Sequence, residues 1–430
     1  MIFMIIHKVK CYLFKFFLYK TFPLIFLFFT LFSIGCNNKT PAEWENVPTE
    51  SGISENENSQ YMRKDDGFFS LIEDGNGTPL KTQKGGTCWL NAASTSMESN
   101  YLRLHHKKIT IDPMPMLDII LGDVEGKSEG YYVDEKVNAV NIGGMSFMIA
   151  NTLSNKYMDY VITEACDYSS ASIEEMKGLI KKYGAMTVDI QDVSSRFQYT
   201  DGYYCMNDSS NAYDHSVVLV GWDDNFPKDY FRRPASRDGA WIVQNSFGKL
   251  WGNDGFYYVS YDTILKEQVV FNVSKEYKKV LSHDAGTHNS FQLGKETTTG
   301  SKFREKGKLK AVGTFTYGRN QTVKIQVYKD DFGKLLASAE ATFEYPGYHV
   351  TVLPKKVSVE DFQIAVTYSG EAPVEGEGGK EGMYEFRVSS NKGESFVLYD
   401  GKWLDLADPS TATAIGIDFT PNNACIKALF

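Results

Sequence analysis

Apolar residues at Trp89, Ala93, Met97 and Tyr101 recur every four positions, a spacing that predicts a helix burying one face. Ahead of it, Gly85, Gly86 and Thr87 read as a loop, so Cys88 falls where the loop becomes the helix. A second amphipathic helix is predicted over 172–183, with Met176, Leu179, Ile180 and Tyr183 as its stripe. Ser172 and Glu175 have capping-box spacing, and Gly184 stops it. Gly143-Gly144 precede a third helical run at 146–154, whereas 109–128, broken by Pro113 and Pro115, reads as irregular. Strands are predicted at 185–190, 214–222, 239–245 and 255–261, with a loop running through Tyr203-Tyr204.

Beyond a charged region at 265–279 the rhythm changes. Short strand-like runs recur at 309–317, 322–328, 336–345, 349–353, 361–368, 383–388, 396–399 and 411–419, with a glycine-rich loop over 370–382. Almost no helical period survives there, which predicts an antiparallel β-sandwich. A chain of 430 residues is long enough for two such domains.

Lysines up to Lys20, then an apolar run over 21–34, have the form of a secretory leader. It ends Ser33-Ile34-Gly35-Cys36, which resembles the bacterial lipoprotein signal although Ser33 stands where leucine is usual; Cys36 is then the lipidation site. Residues 37–66 are polar and read as a tether. The net charge is −9, and the leader carries lysines and no acid, so the body is more acidic still. That balance argues against a nucleic-acid partner.

Of the 6 cysteines, Cys166, Cys205 and Cys425 lie outside the leader, the lipid site and the helix start, so at most one disulfide forms among them. No CxxC or HExxH pattern occurs and the 7 histidines show no ligand spacing, so these patterns support no metal site and no cofactor is expected, with a calcium ion in the β-sandwich left open. Cys88 is the residue with chemistry. At a helix N-terminus, unpaired N–H groups and the helix dipole favour thiolate over thiol. Gln83, upstream, can offer a side-chain N–H to an oxyanion beside the backbone N–H of Cys88. His215 opens one predicted strand and Asn245 closes another; taken singly, these read as a structural histidine and a turn residue.

Jointly the motifs resemble the papain family of cysteine peptidases over 68–261. The order is a Gln and Cys-Trp loop opening a helix, then Gly143-Gly144, then His215 running into Val-Gly-Trp, then Asn245-Ser246-Phe247-Gly248 followed by Trp251-Gly252. His215 lies 127 positions after Cys88, close to the family's spacing. The resemblance implies a Cys88–His215–Asn245 triad with Gln83 at the oxyanion, and Phe247 and Trp251 shielding it. Phe247 stands where the family usually has tryptophan. Four residues separate Gln83 from Cys88 where five are usual, Gly85 replaces a common disulfide cysteine, and Gly86-Thr87 replace Gly-Ser. For substrate, the resemblance implies that Gly143 and Gly144 pair with an extended peptide. Asp189, with Asp214 before the histidine, would line the pocket for the second residue before the scissile bond; an acid there favours a basic side chain. The C-terminal third resembles the lectin-like β-sandwich that follows such domains in some bacterial surface proteases.

The expected fold is therefore α+β: a papain-like two-lobed peptidase at 67–265, followed by a β-sandwich at 270–430, behind a leader (1–36) and a linker (37–66). The expected function is an exported, lipid-anchored cysteine endopeptidase acting on protein or peptide, with a cell-surface glycan as the partner of the C-terminal domain. The rival readings are a peptidoglycan-directed amide hydrolase and a non-catalytic glycan-binding adhesin.

Overall fold

Helix α1 (Cys88–His105) is covered on every side rather than on one stripe. Trp89, Ala93 and Met97 are fully buried as their spacing predicts, but Ser94, Ser96, Ser99 and Asn100 are equally buried. Burying those polar groups demands hydrogen bonds. Ser96 Oγ donates to Ala185 O at 2.7 Å, Ser99 Oγ accepts from the Ala185 N–H at 3.0 Å, and Asn100 Nδ2 reaches Asn272 Oδ1 at 2.7 Å. Glu98 Oε1 accepts from Lys81 Nζ at 2.8 Å and from the Ile111 N–H at 2.7 Å. The apolar face thus holds one lobe, Ser96, Ser99 and Asn100 are bonded to the other, and Glu98 anchors the segment that carries Ile111.

The structure, a computed structural model, describes residues 67–121, 130–133, 139–155, 158–287, 289–376, 378–381 and 384–430. The leader, Cys36 and the 37–66 tether lie outside them. No helix among the described residues is long and apolar enough to cross a membrane.

After β1 (Phe68–Ser70), the first lobe combines α1 with α2 (Met114–Leu121), β2 (Gly130–Val133) and α3 (Ser146–Leu153). Helix α2 corrects the expected irregular segment. Pro115 sits in its first turn, where no intrahelical N–H bond is lost, and Asp112 Oδ1 accepts the Met114 N–H at 3.0 Å. Trp89, Met97, Met116, Ile120, Met148 and Ile149 form this lobe's core.

The second lobe is built from β3 (Val161–Asp167), α4 (Ile173–Tyr183), β4 (Met186–Ile190), β5 (Phe197–Thr200), β6 (Tyr203–Met206), β7 (His215–Asp223), β8 (Ala240–Gln244), β9 (Phe256–Ser260) and β10 (Lys266–Ser274). Helix α4 carries the full capping box: Ser172 N donates to Glu175 Oε2 at 2.7 Å and Glu175 N to Ser172 Oγ at 3.3 Å. Strand β7 is central, pairing antiparallel with β1, β4 and β8. The expected loop at Tyr203-Tyr204 is instead a hairpin of β5 and β6. Its turn is Asp201-Gly202, both at positive φ (50° and 85°), as a right-twisted two-residue hairpin requires. Strand β10 pairs with β3 and β4, so the expected boundary near 265–270 falls inside a strand of this lobe.

The C-terminal part comprises β11 (Val280–Leu281), β12 (Asn289–Phe291), β13 (Thr297–Thr316), β14 (Gln321–Lys329), β15 (Lys334–Phe343), β16 (Gly347–Tyr368), β17 (Ala372–Gly376), β18 (Gly379–Glu381), β19 (Tyr384–Arg387), β20 (Ser395–Tyr399), β21 (Lys402–Asp405), α5 (Ser410–Ile415), β22 (Pro421–Ala424) and β23 (Ile426–Leu429). Strands β12, β17 and β22 form a small sheet whose Phe291, Val374 and Ala424 share one core with Val312, Ile325 and Phe362 of the large one. Two expectations fail here. The 411–419 run is largely helical, closed by Gly416 at φ 77°, and the expected glycine-rich loop contains β17, whose Ala372 and Val374 are buried. Backbone pairing also crosses between the parts: β16 joins β3, and β19 joins β2.

Candidate active site

Cys88 is the first residue of α1, and the preceding Thr87 makes no side-chain cap to the helix. Its hydroxyl instead donates to Lys84 O at 2.9 Å, which tightens the loop. Gly85 has φ 55°, and a Cβ there would lie 2.5 Å from Asn141 Oδ1; only glycine fits this close approach. The Gly86 N–H donates to Val140 O at 2.8 Å.

Gln83 ties this loop to the one that follows β8. Its N–H donates to Ser246 O at 2.8 Å, and its Oε1 accepts from Ser246 Oγ at 2.7 Å. Thr82 and Phe247 form a backbone bridge alongside. Gln83 Nε2 donates to Gly85 O at 2.7 Å, which uses one of its two N–H bonds. Ser246 is a positioning residue that sequence reading passed over, although it lies inside the Asn-Ser-aromatic-Gly motif.

His215 opens β7, the strand on which α1 packs. Its Nε2 lies 2.8 Å from Asn245 Oδ1, and the same oxygen accepts the Ser246 N–H at 2.7 Å. An atom accepting a backbone N–H must be the amide oxygen, so Nε2 carries the proton and Nδ1 keeps the lone pair. Phe247 stacks on the imidazole at 4.8 Å and 19°, and Trp251 meets Phe247 edge-on at 5.4 Å. His215 and Asn245 are both buried. Trp251 in turn packs on Phe197, Tyr204 and Tyr257, so the shield is one aromatic cluster.

The residues expected to line the substrate pocket divide. Gly144 packs so tightly that a Cβ would lie 2.4 Å from the Trp89 ring. Gly143 N faces Gly86, 3.3 Å from the place a Cβ would take there. Asp214 is turned to its own chain, accepting the Asp192 N–H at 2.7 Å, and its N–H is bonded to Ile190 O. Asp189 is buried on β4 opposite Ser216, one position from the Ile190–His215 pair. Its Oδ1 has no hydrogen-bond partner.

A second acid, Glu267, was not signalled by any motif. It sits at φ 47° on β10, and its Oε2 accepts the Ser146 N–H at 2.8 Å, at the start of α3. Burial pushes the Asp189 carboxyl up to about 7, against a lowering hydrogen bond from Ser216. Burial pushes Glu267 well above the usual carboxylate range, the charge of Asp189 adds to it, and the N–H groups of Ser146 and Phe147 oppose it.

The raised Asp189 value has a stability consequence. Folded protein holds a proton that the unfolded chain releases, so this contribution is complete below the ordinary aspartate range and is lost as pH rises through about 7. Asp189→Asn is expected to flatten the fall in urea midpoint between about pH 4 and about pH 7. A variant whose midpoints track the parent over that range removes the assignment.

Cys166, Cys205 and Cys425 are buried free thiols, so no disulfide forms among them.

A family model described as papain family cysteine protease matches residues 31–278, and one described as lectin like domain matches 281–429. The viral cathepsin of Epiphyas postvittana nucleopolyhedrovirus is 30% identical over 188 residues, covering 40% of this chain and 52% of its own. Procathepsin L of Rattus norvegicus is 27% identical over 198 residues, covering 43% and 57%. The chain thus spans about half the length of the curated relatives it matches. The solved cysteine protease and lectin-like domains of Cwp84, a surface layer associated protein of Clostridium difficile, superpose with a TM-score of 0.70 at 20% identity. They cover 85% of this chain and 89% of that one, which places the same two-part fold here. With the first of those models taking in more than half of its residues, this chain belongs to the papain family of cysteine proteases and carries a lectin-like domain behind the protease domain.

Proposed function

We propose that this protein is a cysteine endopeptidase in which reduced Cys88 attacks a peptide carbonyl, His215 moves the proton and Asn245 orients His215. The observation that carries the reading is the hydrogen-bonded path Gln83–Ser246–Asn245–His215, which ties the nucleophile's loop to the base. His215 Nδ1 takes the Cys88 proton and later returns it to the leaving amine. The Asn245 oxygen accepts from Nε2–H and so favours the imidazolium without adding a formal charge. The carbonyl oxygen, becoming an oxyanion, is received by the Cys88 N–H at the head of α1 and by the second N–H of Gln83. Phe247 and Trp251 keep water from the His215–Asn245 bond.

Casein turnover in the presence of a reductant tests this. A thiol-alkylating inhibitor is expected to abolish it, and turnover that survives alkylation would end the assignment.

Asp189 would line the pocket for the second residue before the scissile bond and supply its negative charge once ionised, while Glu267, at the head of α3, stays protonated beside it. A peptide library is therefore expected to show preference for Lys or Arg there, rising with pH through about 7 as Asp189 ionises. Equal cleavage after apolar and basic residues removes this specificity.

The same reading places the enzyme on the outer face of a membrane, held by acylated Cys36, with the C-terminal domain meeting a surface glycan. A shallow groove where Leu293, Leu398 and Ile415 lie beside Glu296, Tyr399 and Asp400 is the surface we assign to that contact. Mass spectrometry of the mature N-terminus checks the anchor; an unacylated end removes it.

A further inference from the structure

Three potential metal-ligating side chains meet where the protease domain joins the C-terminal strands. Glu164 and Cys166 alternate on β3, so both point to one face, and β16 pairs there in the register His349↔Glu164 and Gly347↔Cys166. Cys166 Sγ lies 3.3 Å from Glu164 Oε1 and 3.7 Å from His349 Nδ1, and Nδ1 lies 3.7 Å from Glu164 Oε1. In tetrahedral zinc sites, bonds of about 2.3 Å to sulfur, about 2.0 Å to nitrogen and about 2.1 Å to oxygen set ligand-to-ligand edges of roughly 3.4–3.6 Å. The three observed edges bracket that range.

The surrounding groups are arranged as a metal site needs. His349 Nε2 lies 3.2 Å from Tyr345 O, a carbonyl that can only accept, so Nε2 carries the proton and the Nδ1 lone pair faces sulfur and carboxylate. Thr316 Oγ1 lies 3.1 Å from the same nitrogen, and Phe343 stacks on the ring at 3.8 Å and 12°, fixing its plane. The other Glu164 oxygen, Oε2, accepts from Asn272 Nδ2 at 2.5 Å. Outer partners of this kind orient metal ligands. His349 is buried while Glu164 keeps 27% of its side chain exposed, which leaves one side open for an ion and a water ligand.

We propose that Glu164, Cys166 and His349 bind a divalent ion of the zinc class and thereby staple the protease domain to the lectin-like domain. A thiolate, a carboxylate and a neutral imidazole offset the ion's two charges, and the mixed S, N, O set suits Zn²⁺ over Mg²⁺ or Ca²⁺. The absence of ligand spacing in the sequence has a simple cause: His349 comes from a different domain than Glu164 and Cys166.

The test uses the full chain as Cys88→Ala, which removes the proposed nucleophile as a competing thiol, treated with a chelator and then titrated with Co²⁺. One equivalent is expected to give the near-ultraviolet thiolate-to-cobalt charge-transfer band and tetrahedral visible bands, with Zn²⁺ displacing it. Adding Cys166→Ser should abolish the charge-transfer band while circular dichroism stays unchanged. Should that variant fail to fold, Asn272→Ala reads the same site, because losing an outer hydrogen bond lowers metal affinity by about 10-fold or more. The proposal is overturned by a band that survives Cys166→Ser, by no band at all, or, where Asn272→Ala is the readout, by unchanged affinity; any of these leaves the three groups as a hydrogen-bonded cluster.

Discussion

Cys88→Ala is expected to leave a folded protein whose kcat on casein or a peptide amide has fallen by at least about 10⁴-fold. His215→Ala should fall as far, and the double variant scarcely further, because a nucleophile and its base act as one unit. Folding should survive both changes. Cys88 borders a core held by Trp89, Met97 and Met148, and His215 lies at the end of a strand already fixed by pairing with β4 and β8. Asn245→Ala should cost less than either, since it leaves the base in place but releases its ring. Single-turnover measurement on the reduced protein separates these cases from misfolding. Full turnover by the Cys88→Ala variant would falsify the triad.

The second large effect concerns Gln83. Gln83→Ala removes a donor to the oxyanion and also the acceptor for Ser246 Oγ, so kcat should drop about 10²–10³-fold with little change in KM. Ser246→Ala separates the two roles, since it breaks only the bond at 2.7 Å that positions the amide. It should cost less than Gln83→Ala. Equal losses would make Gln83 a positioning residue, and an unchanged kcat in Gln83→Ala would leave the Cys88 N–H and the head of α1 as the oxyanion donors.

Local signals were reliable where a short stretch contains its own physical reason. Ser172 and Glu175 satisfy each other's N–H groups within one turn, so α4 begins where the sequence places it. The start of α1 is equally local, set by the glycine loop and the four-residue apolar spacing. Errors arose where composition and context compete. Pro113 and Pro115 look like breakers, yet a proline in the first helical turn loses no hydrogen bond, and α2 forms. The Thr-rich 411–419 run has the look of a strand, but Gly416 in the left-handed region closes a helix there. Asp201-Gly202 is a hairpin turn whose signal was present and passed over.

The sequence by itself determined the order of the chemical groups: Gln83 in the glycine loop, then Cys88, His215 and Asn245, each at the edge of an element whose periodicity is visible in its own neighbours. It also determined that mixed structure gives way to strands in the C-terminal part, because periodicity is a local property, but not where the boundary lies, since β10 pairs back with β3 and β4. Only the tertiary structure decided that Ser246 joins the nucleophile's loop to the base, that Asp214 turns to the Asp192 N–H while Glu267 holds the Ser146 N–H, and that β16 pairs with β3. Those are contacts between residues far apart in the chain. Their geometry depends on how whole faces are buried and how buried polar groups find partners, which no local window of sequence contains.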